Sequence, residues 1–180
     1  MARRDKAEFA EFVAARSAAL HRAAYLMVGD QSLAQDLVQE ALTKTYVAWP
    51  RLRDKGNAEA YTRKAITHTA ISWFRRKGWS AERSTDQPPE HTVLGPTDRL
   101  GQQVADSAWL WDCLQGLPVR QRTAIVLRYY EDLTEAQTAE AMGCAVGTVK
   151  SQVSAGLTKL RQRLGEDSDL LPLHDLVVTR

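Results

Sequence analysis

Residues 133–164 read LTEAQTAEAMGCAVGTVKSQVSAGLTKLRQRL, and their spacing predicts two helices joined by a tight turn. Thr134 is placed to cap the first helix, and Gln137 three residues later completes a capping box, in which side chains satisfy free backbone N–H groups reciprocally. Gly143 follows Met142 where a helix must stop at a residue tolerant of positive φ. In the second helix Val146, Val149, Val153, Leu157, Leu160 and Leu164 recur on one face, leaving Gly147, Thr148, Ser151, Ser154 and Ala155 on the other. This is the pattern of a helix-turn-helix, whose second helix lies in the DNA major groove and offers its N-terminal residues to base edges. An ordinary helical hairpin explains the apolar stripe equally well. The small polar groups and Lys150 on the outer face favour DNA.

Composition sets the outer bounds. A chain of 180 residues holds one medium domain or two small ones, and 44% hydrophobic with 26% charged residues implies a folded core. The net charge of +2 is small for a nucleic-acid partner, but charge is unevenly placed. From Arg51 to Arg83 there are nine Lys or Arg against three acids (Asp54, Glu59, Glu82), whereas the tail carries Glu166, Asp167, Asp169 and Asp175. A local basic block still generates a strong field. The N-terminus has two arginines without an apolar segment behind them, so no signal peptide is expected, and no run approaches the ~18 apolar residues of a membrane span. A cytoplasmic location without membrane insertion is the expectation. Cys113 and Cys144 stand alone in helical patterns and read as small apolar side chains in a reducing compartment. The histidines at 21, 68, 91 and 174 are scattered, so neither metal nor cofactor is expected.

Helical periodicity runs almost everywhere except from about Gly78 to Gln103, which is rich in Pro, Gly, Ser and Thr and reads as a linker. The fold class is therefore all-α: two small helical domains joined by a flexible linker, the C-terminal one holding the helix-turn-helix. The expected boundaries are 1–78, a linker over 79–103, 104–165, and a tail over 166–180. In the first domain, Phe9, Phe12, Val13, Leu20, Ala23, Ala24 and Met27 predict a helix ending at Gly29. Ser32 with Gln35 reads as a capping box for a helix that stops before Pro50. Asn57 is placed to cap a third helix, Ala58 to Lys77, ended by Gly78. In the second domain, Trp109 to Leu114 reads as a short helix, and Pro118 opens another through Tyr130.

Two further constellations carry chemistry. Asp36, Gln39 and Glu40 share an exposed face of the second helix, with Leu33, Leu37, Ala41 and Trp49 toward the core. Like charges at that spacing weaken an isolated helix, so either solvent or a complementary partner faces them. On the third helix Lys64, His68, Ile71 and Arg75 form one stripe, while Ile66, Thr69, Ala70 and Trp73 lie opposite, toward the core. Arg63, Arg76 and Lys77 widen the basic surface, and Tyr61, Trp73, Phe74 and Trp79 interleave aromatics. Cations that track phosphates, with aromatic platforms for unpaired bases, suit single-stranded nucleic acid; inward-packed aromatics under a positive helix are the competing reading. Asp54, Lys55, Gly56 and Asn57 just before the helix are placed to frame an extruded base.

Together these stretches resemble bacterial RNA polymerase sigma factors of the extracytoplasmic-function group, in particular actinobacterial-looking, sigma-E-like members with YYEDL before the helix-turn-helix. The resemblance spans residues 7–164. DLVQEAL (36–42) is similar to the family's polymerase-binding helix, AYTRKAITHTAISWFRR (60–76) to its melting and −10-reading helix, and residues 117–161 to its −35-binding domain. The resemblance implies that Asp36, Gln39 and Glu40 dock on core RNA polymerase. It places Asn57, Lys64, His68, Arg75 and Arg76 at melting −10 DNA, and Thr148, Lys150, Ser151 and Ser154 in the −35 major groove. It also implies promoter DNA as a partner, admits an anti-sigma factor, and describes a protein that is not an enzyme.

Two departures stand out. His68 and Ser72 replace the family's frequent Asn and Asp, and Gln152 and Ala155 replace arginines near the start of the recognition helix. A lost bidentate base contact removes ~1–3 kcal/mol of discrimination. The free chain is therefore expected to bind DNA weakly, with polymerase supplying the affinity. The linker fits that picture: its relaxed span is roughly 25–30 Å, its extended reach ~80 Å, and promoter elements lie on the order of 50–70 Å apart. A stand-alone helix-turn-helix regulator is the alternative, but residues 1–77 show no receiver or ligand-binding pattern. A small helical enzyme lacks any nucleophile–base pair, phosphate loop or metal spacing.

Overall fold

The structure, a computed structural model, describes residues 3–52, 55–81 and 113–164. Among these there is no strand. Helix α1 spans Arg3–Val28, α2 spans Gln31–Ala48, a 3₁₀ turn follows at Trp49–Arg51, and α3 spans Lys55–Ala81. After residues 82–112, helix α4 spans Val119–Ile125 and runs on as a π-helical turn, Val126–Tyr130. Helices α5 (Glu135–Met142) and α6 (Val146–Leu164) complete the chain as described.

The helix-turn-helix forms as its spacing predicts. Thr134 Oγ1 accepts from the Gln137 N–H while Gln137 Oε1 accepts from the Thr134 N–H, closing the capping box. Gly143 ends α5 at φ +62°, a conformation that costs a residue with a Cβ strain. Other boundaries depart from expectation. Asp30, not Ser32, caps α2, because its carboxylate already accepts from the Leu33 N–H at 2.7 Å. Asn57 does not cap α3: the helix begins two residues earlier at Lys55, and it passes through Gly78 to Ala81 instead of ending there. Pro118 sits one position outside α4, in extended geometry, and Val119 is the first helical residue. The expected helix at Trp109–Leu114 is helical at Cys113 and Leu114, and its earlier residues lie outside the described ones, as do most of the expected linker and the tail from Gly165 on.

The two groups of helices dock on one another. Leu20, Ala24 and Met27 of α1, Leu37 and Ala41 of α2, and Ile66 and Ala70 of α3 share one buried cluster with Ala124, Leu127, Ala139, Met142 and Val149. Burying one continuous apolar surface removes more of it from water than two separate cores would. A second cluster joins Leu114, Leu117, Ile125 and Leu160, and Leu26 of α1 packs against it. Gly156, which the apolar stripe did not single out, lets α6 approach α4: a Cβ there would lie 2.6 Å from Ile125 Cδ1. A third cluster, Phe12, Trp49 and Ala58, closes the far end of α1, with Phe9 and Trp49 edge to face at 5.1 Å.

Polar groups tie the docked halves. The Arg122 guanidinium is buried, donates from Nε to the Met27 carbonyl at 2.7 Å and from Nη1 to Gln115 Oε1 at 2.6 Å. It also lies over the Phe74 ring, 5.6 Å from the centroid. Burial pulls its pKa down to about 10, still far above neutrality, so it remains a cation. Inside the first three helices, Thr45 and Thr62 hydroxyls meet at 2.8 Å, and each also approaches the carbonyl four residues back. Three contacts share two protons, so one hydroxyl donates across the helices while the other donates to its own backbone. Replacing Arg122 with alanine orphans the Met27 carbonyl and is expected to cost about 1–3 kcal/mol for that group alone, measured as a lower urea midpoint of the full chain.

Candidate nucleic-acid interface

Three surfaces carry the residues singled out by the sequence. On α2, Asp36, Gln39 and Glu40 are all exposed, while Leu37, Val38 and Ala41 are buried behind them. Leu33 is half-buried, and Trp49 is buried on the 3₁₀ turn that follows the helix. The helix therefore presents a carboxylate-bearing face to solvent for reasons of amphipathicity. One charge is locally answered: Lys44 Nζ lies 2.6 Å from Glu40 Oε1 in the favourable i,i+4 order. Val47, 75% exposed, lies on the same stripe one turn beyond Thr43, an apolar position that the search for charge did not single out.

On α3, Asn57, His68, Arg75 and Arg76 are exposed and Lys64 half-exposed. They do not form one open cationic strip. Lys64 Nζ pairs with Glu140 of α5 at 3.6 Å, and the His68 ring lies against Gly143, where a Cβ would stand 2.9 Å from Nε2. Arg63, expected to widen the basic surface, is nearly buried between Glu59 at 3.0 Å and Glu131 at 2.7 Å. The inward face of α3 is also wider than the sequence suggested. It includes Thr67 and Phe74, which share a stripe with Arg63 and Ala70 and turn toward the C-terminal helices. Trp73 and Phe74 stack edge to face at 4.8 Å and are half-buried, so they pack inward rather than offering open platforms. Tyr61 stays 38% exposed. The base-framing loop becomes helix from Lys55 on; Asp54 lies outside the described residues.

On α6, Lys150, Ser151 and Ser154 are exposed and Thr148 is half-buried. Val146 was expected in the apolar stripe, but at 39% exposure it stands at the open start of the helix, beyond the reach of α4 and α5. Ala155 turns partly inward beside Gly156. The Ser151 hydroxyl donates to the Thr148 carbonyl at 2.9 Å, leaving its lone pairs free to accept. Lys150 Nζ rests 3.4 Å from Glu135 Oε2, both side chains exposed. Arg128, Glu135, Lys150, Ser154 and Arg161 line a shallow groove of about 280 Å³ beside this face. Sparse cations and small side chains suit contact with base edges more than a tight grip on phosphates.

Among the described residues no cluster of His, Cys, Asp and Glu is arranged to hold a metal ion, and no helix is long and apolar enough to cross a membrane. Residues 12–80 match the model of Sigma-70 region 2, and residues 107–160 match Sigma-70 region 4. The chain is 40% identical over 157 residues to the RNA polymerase sigma-E factor of Streptomyces coelicolor, covering 87% of this chain and 86% of that protein. The chain belongs to the sigma factors. A second sigma-E factor, from Streptomyces avermitilis, is 39% identical over 94% of this chain and 92% of its own length. In fold, the sigma factor resembles RpoE of Bartonella quintana, solved in complex with the anti-sigma factor NepR. That likeness has a TM-score of 0.71 and 25% identity, and covers 89% of this chain and 98% of RpoE. The family directs RNA polymerase to promoters and is not enzymatic.

His68 carries a pH dependence of its own. Burial first, then the Lys64 and Lys44 ammonium groups, holds its imidazole below the usual 6.5. The folded chain thus prefers the neutral ring, and the unfolded chain takes the proton first. Stability is expected to fall as pH drops through 6.5 and to level off below the folded-state value. Urea midpoints between pH 7.5 and 5 should show this slope, and His68→Gln should flatten it.

Proposed function

We propose that this sigma factor divides its work among the three surfaces just described. Asp36, Gln39 and Glu40 dock on core RNA polymerase. Asn57, Lys64, His68, Arg75 and Arg76 engage melting −10 DNA. Thr148, Lys150, Ser151 and Ser154 face the −35 major groove. The observation that carries this reading is the exposure of the α2 acidic face with no apolar neighbour to bury it, on the helix adjacent to the basic α3. An acidic face adjoining a basic one suits a protein bridging a basic polymerase surface and DNA.

The domain division follows: residues 1–78 for polymerase and −10 DNA, 79–103 as connector, 104–165 for −35 DNA, and 166–180 as tail. Polymerase performs the chemistry, and the sigma factor works where polymerase is, in the cytoplasm. An anti-sigma partner is part of this reading, supported by the RpoE–NepR complex of a structural relative.

Reconstitution with sigma-free core polymerase and a promoter library tests the whole assignment: absence of a stable core complex and of specific transcripts would sink it. Asp36→Arg with Glu40→Arg should weaken core binding at least about tenfold, since each reversal replaces attraction with repulsion, while circular dichroism stays unchanged. Lys150→Ala with Ser151→Ala should reduce transcription from promoters that depend on the −35 element, at unaltered core affinity.

A further inference from the structure

We infer that Lys44 of α2 is a further −10 DNA contact, held by Glu40 in the free chain and released to the DNA backbone when polymerase takes that carboxylate. The inference rests on the assignments of α2 to polymerase and of α3 to −10 DNA made above.

The register of two helices places Lys44. Thr45 Oγ1 meets Thr62 Oγ1 at 2.8 Å in the buried contact between α2 and α3, which sets the neighbouring Lys44 beside α3. Tyr46 is two residues on, about 200° around the helix. Its ring lies edge to face with Phe9 of α1 at 5.0 Å, so it marks the opposite edge of α2. Lys44 therefore sits on the edge that borders α3, with its side chain half-exposed. There it shares a surface with the α3 cations: after burial, the Lys64 and then the Lys44 ammonium group hold the His68 imidazole below its usual value. A basic stripe drawn along α3 alone cannot include this cation, because it comes from the neighbouring helix.

Glu40 ties the two surfaces together. Its Oε1 lies 2.6 Å from Lys44 Nζ, and both side chains are half-exposed. Such a pair is weak and its members are exchangeable. A basic polymerase surface that approaches Asp36 and Glu40 competes for the carboxylate and repels the ammonium. The flexible lysine stem then turns toward α3, where the DNA backbone offers phosphates in place of the carboxylate. One carboxylate thus serves two partners in turn. Polymerase docking adds a cation to Lys64, His68, Arg75 and Arg76, and the added contact is to phosphate, which positions DNA without reading its bases.

The test uses the full chain bound to core polymerase and a fluorescent single-stranded DNA of mixed sequence, because a phosphate contact carries no sequence preference. With core in excess, Lys44→Met should bind this DNA about threefold more weakly than Lys6→Met, a control of equal charge at an exposed position of α1. The slope of log affinity against log salt should become shallower by about 0.7. Core affinity should rise about 1.5- to 2-fold in Lys44→Met, since Glu40 loses its partner within the chain. Equal DNA affinities and slopes in the two variants overturn the inference, provided Arg75→Ala with Arg76→Ala weakens binding. If that double change has no effect, the assignment of α3 to DNA fails, and the inference with it. Weaker core binding by Lys44→Met makes Lys44 a polymerase contact and overturns the exchange. Lys44→Arg keeps the cation and should bind DNA as the parent chain does. An arginine variant as weak as Lys44→Met assigns the lysine stem a structural role and overturns the proposal.

Discussion

A buried guanidinium holds this molecule in the shape described. Arg122 leaves water to meet the Met27 carbonyl at the end of α1, the Gln115 side chain ahead of α4, and the face of Phe74 on α3. A charge removed from water is expensive unless its donors are used, and here carbonyl, amide and ring each answer part of it. Because the partners sit on three separate segments, the cation is satisfied only when the N-terminal and C-terminal helices are docked. Met27 lies at the C-terminal end of α1, where the helix leaves carbonyls without intrahelical donors. The guanidinium therefore fills an acceptor that the helix geometry left open, and the favourable dipole end of α1 adds to it.

Around that fixed point the docked surface grades from apolar to ionic. Ala24, Ala70, Ala124 and Leu127 pack closely at its centre. Arg63 with Glu131 is nearly buried, and Lys64 with Glu140 lies in the open. The centre supplies attraction without direction, and the rim supplies direction with little strength. Helix α2 keeps its acidic face, Asp36, Gln39 and Glu40, exposed to solvent.

Much of this was legible in residues 133–164. Capping box, turn glycine and apolar spacing are local signals, and Thr134, Gln137 and Gly143 take their expected places because each acts within a few residues. The acidic face at Asp36–Glu40 was readable for a similar reason, since the 3.6-residue period alone decides which side of α2 faces out. Cap competition was not: Asp30 and Ser32 are both good caps, and it is Asp30, in extended geometry at φ −132° and ψ 126°, whose carboxylate takes the Leu33 N–H. Val146 fitted the stripe but sits at a helix start that has no partner beside it.

The sequence by itself determined an all-helical chain, a helix-turn-helix, an acidic and a basic helix, and through them the sigma-factor family. These rest on periodicity, capping and motif order, all written within single segments. Tertiary structure alone decided that Arg63 and Lys64 face carboxylates, that Phe74 turns inward under a cation, and that Arg122 is core. One trace of this existed in the sequence, for Arg122 shares a helical stripe with Val119 and Val126, an odd place for a cation. What the stripe could not name was the Met27 carbonyl, 95 residues earlier in the chain. Pairings at that separation are set by how apolar faces dock, and no local pattern encodes them.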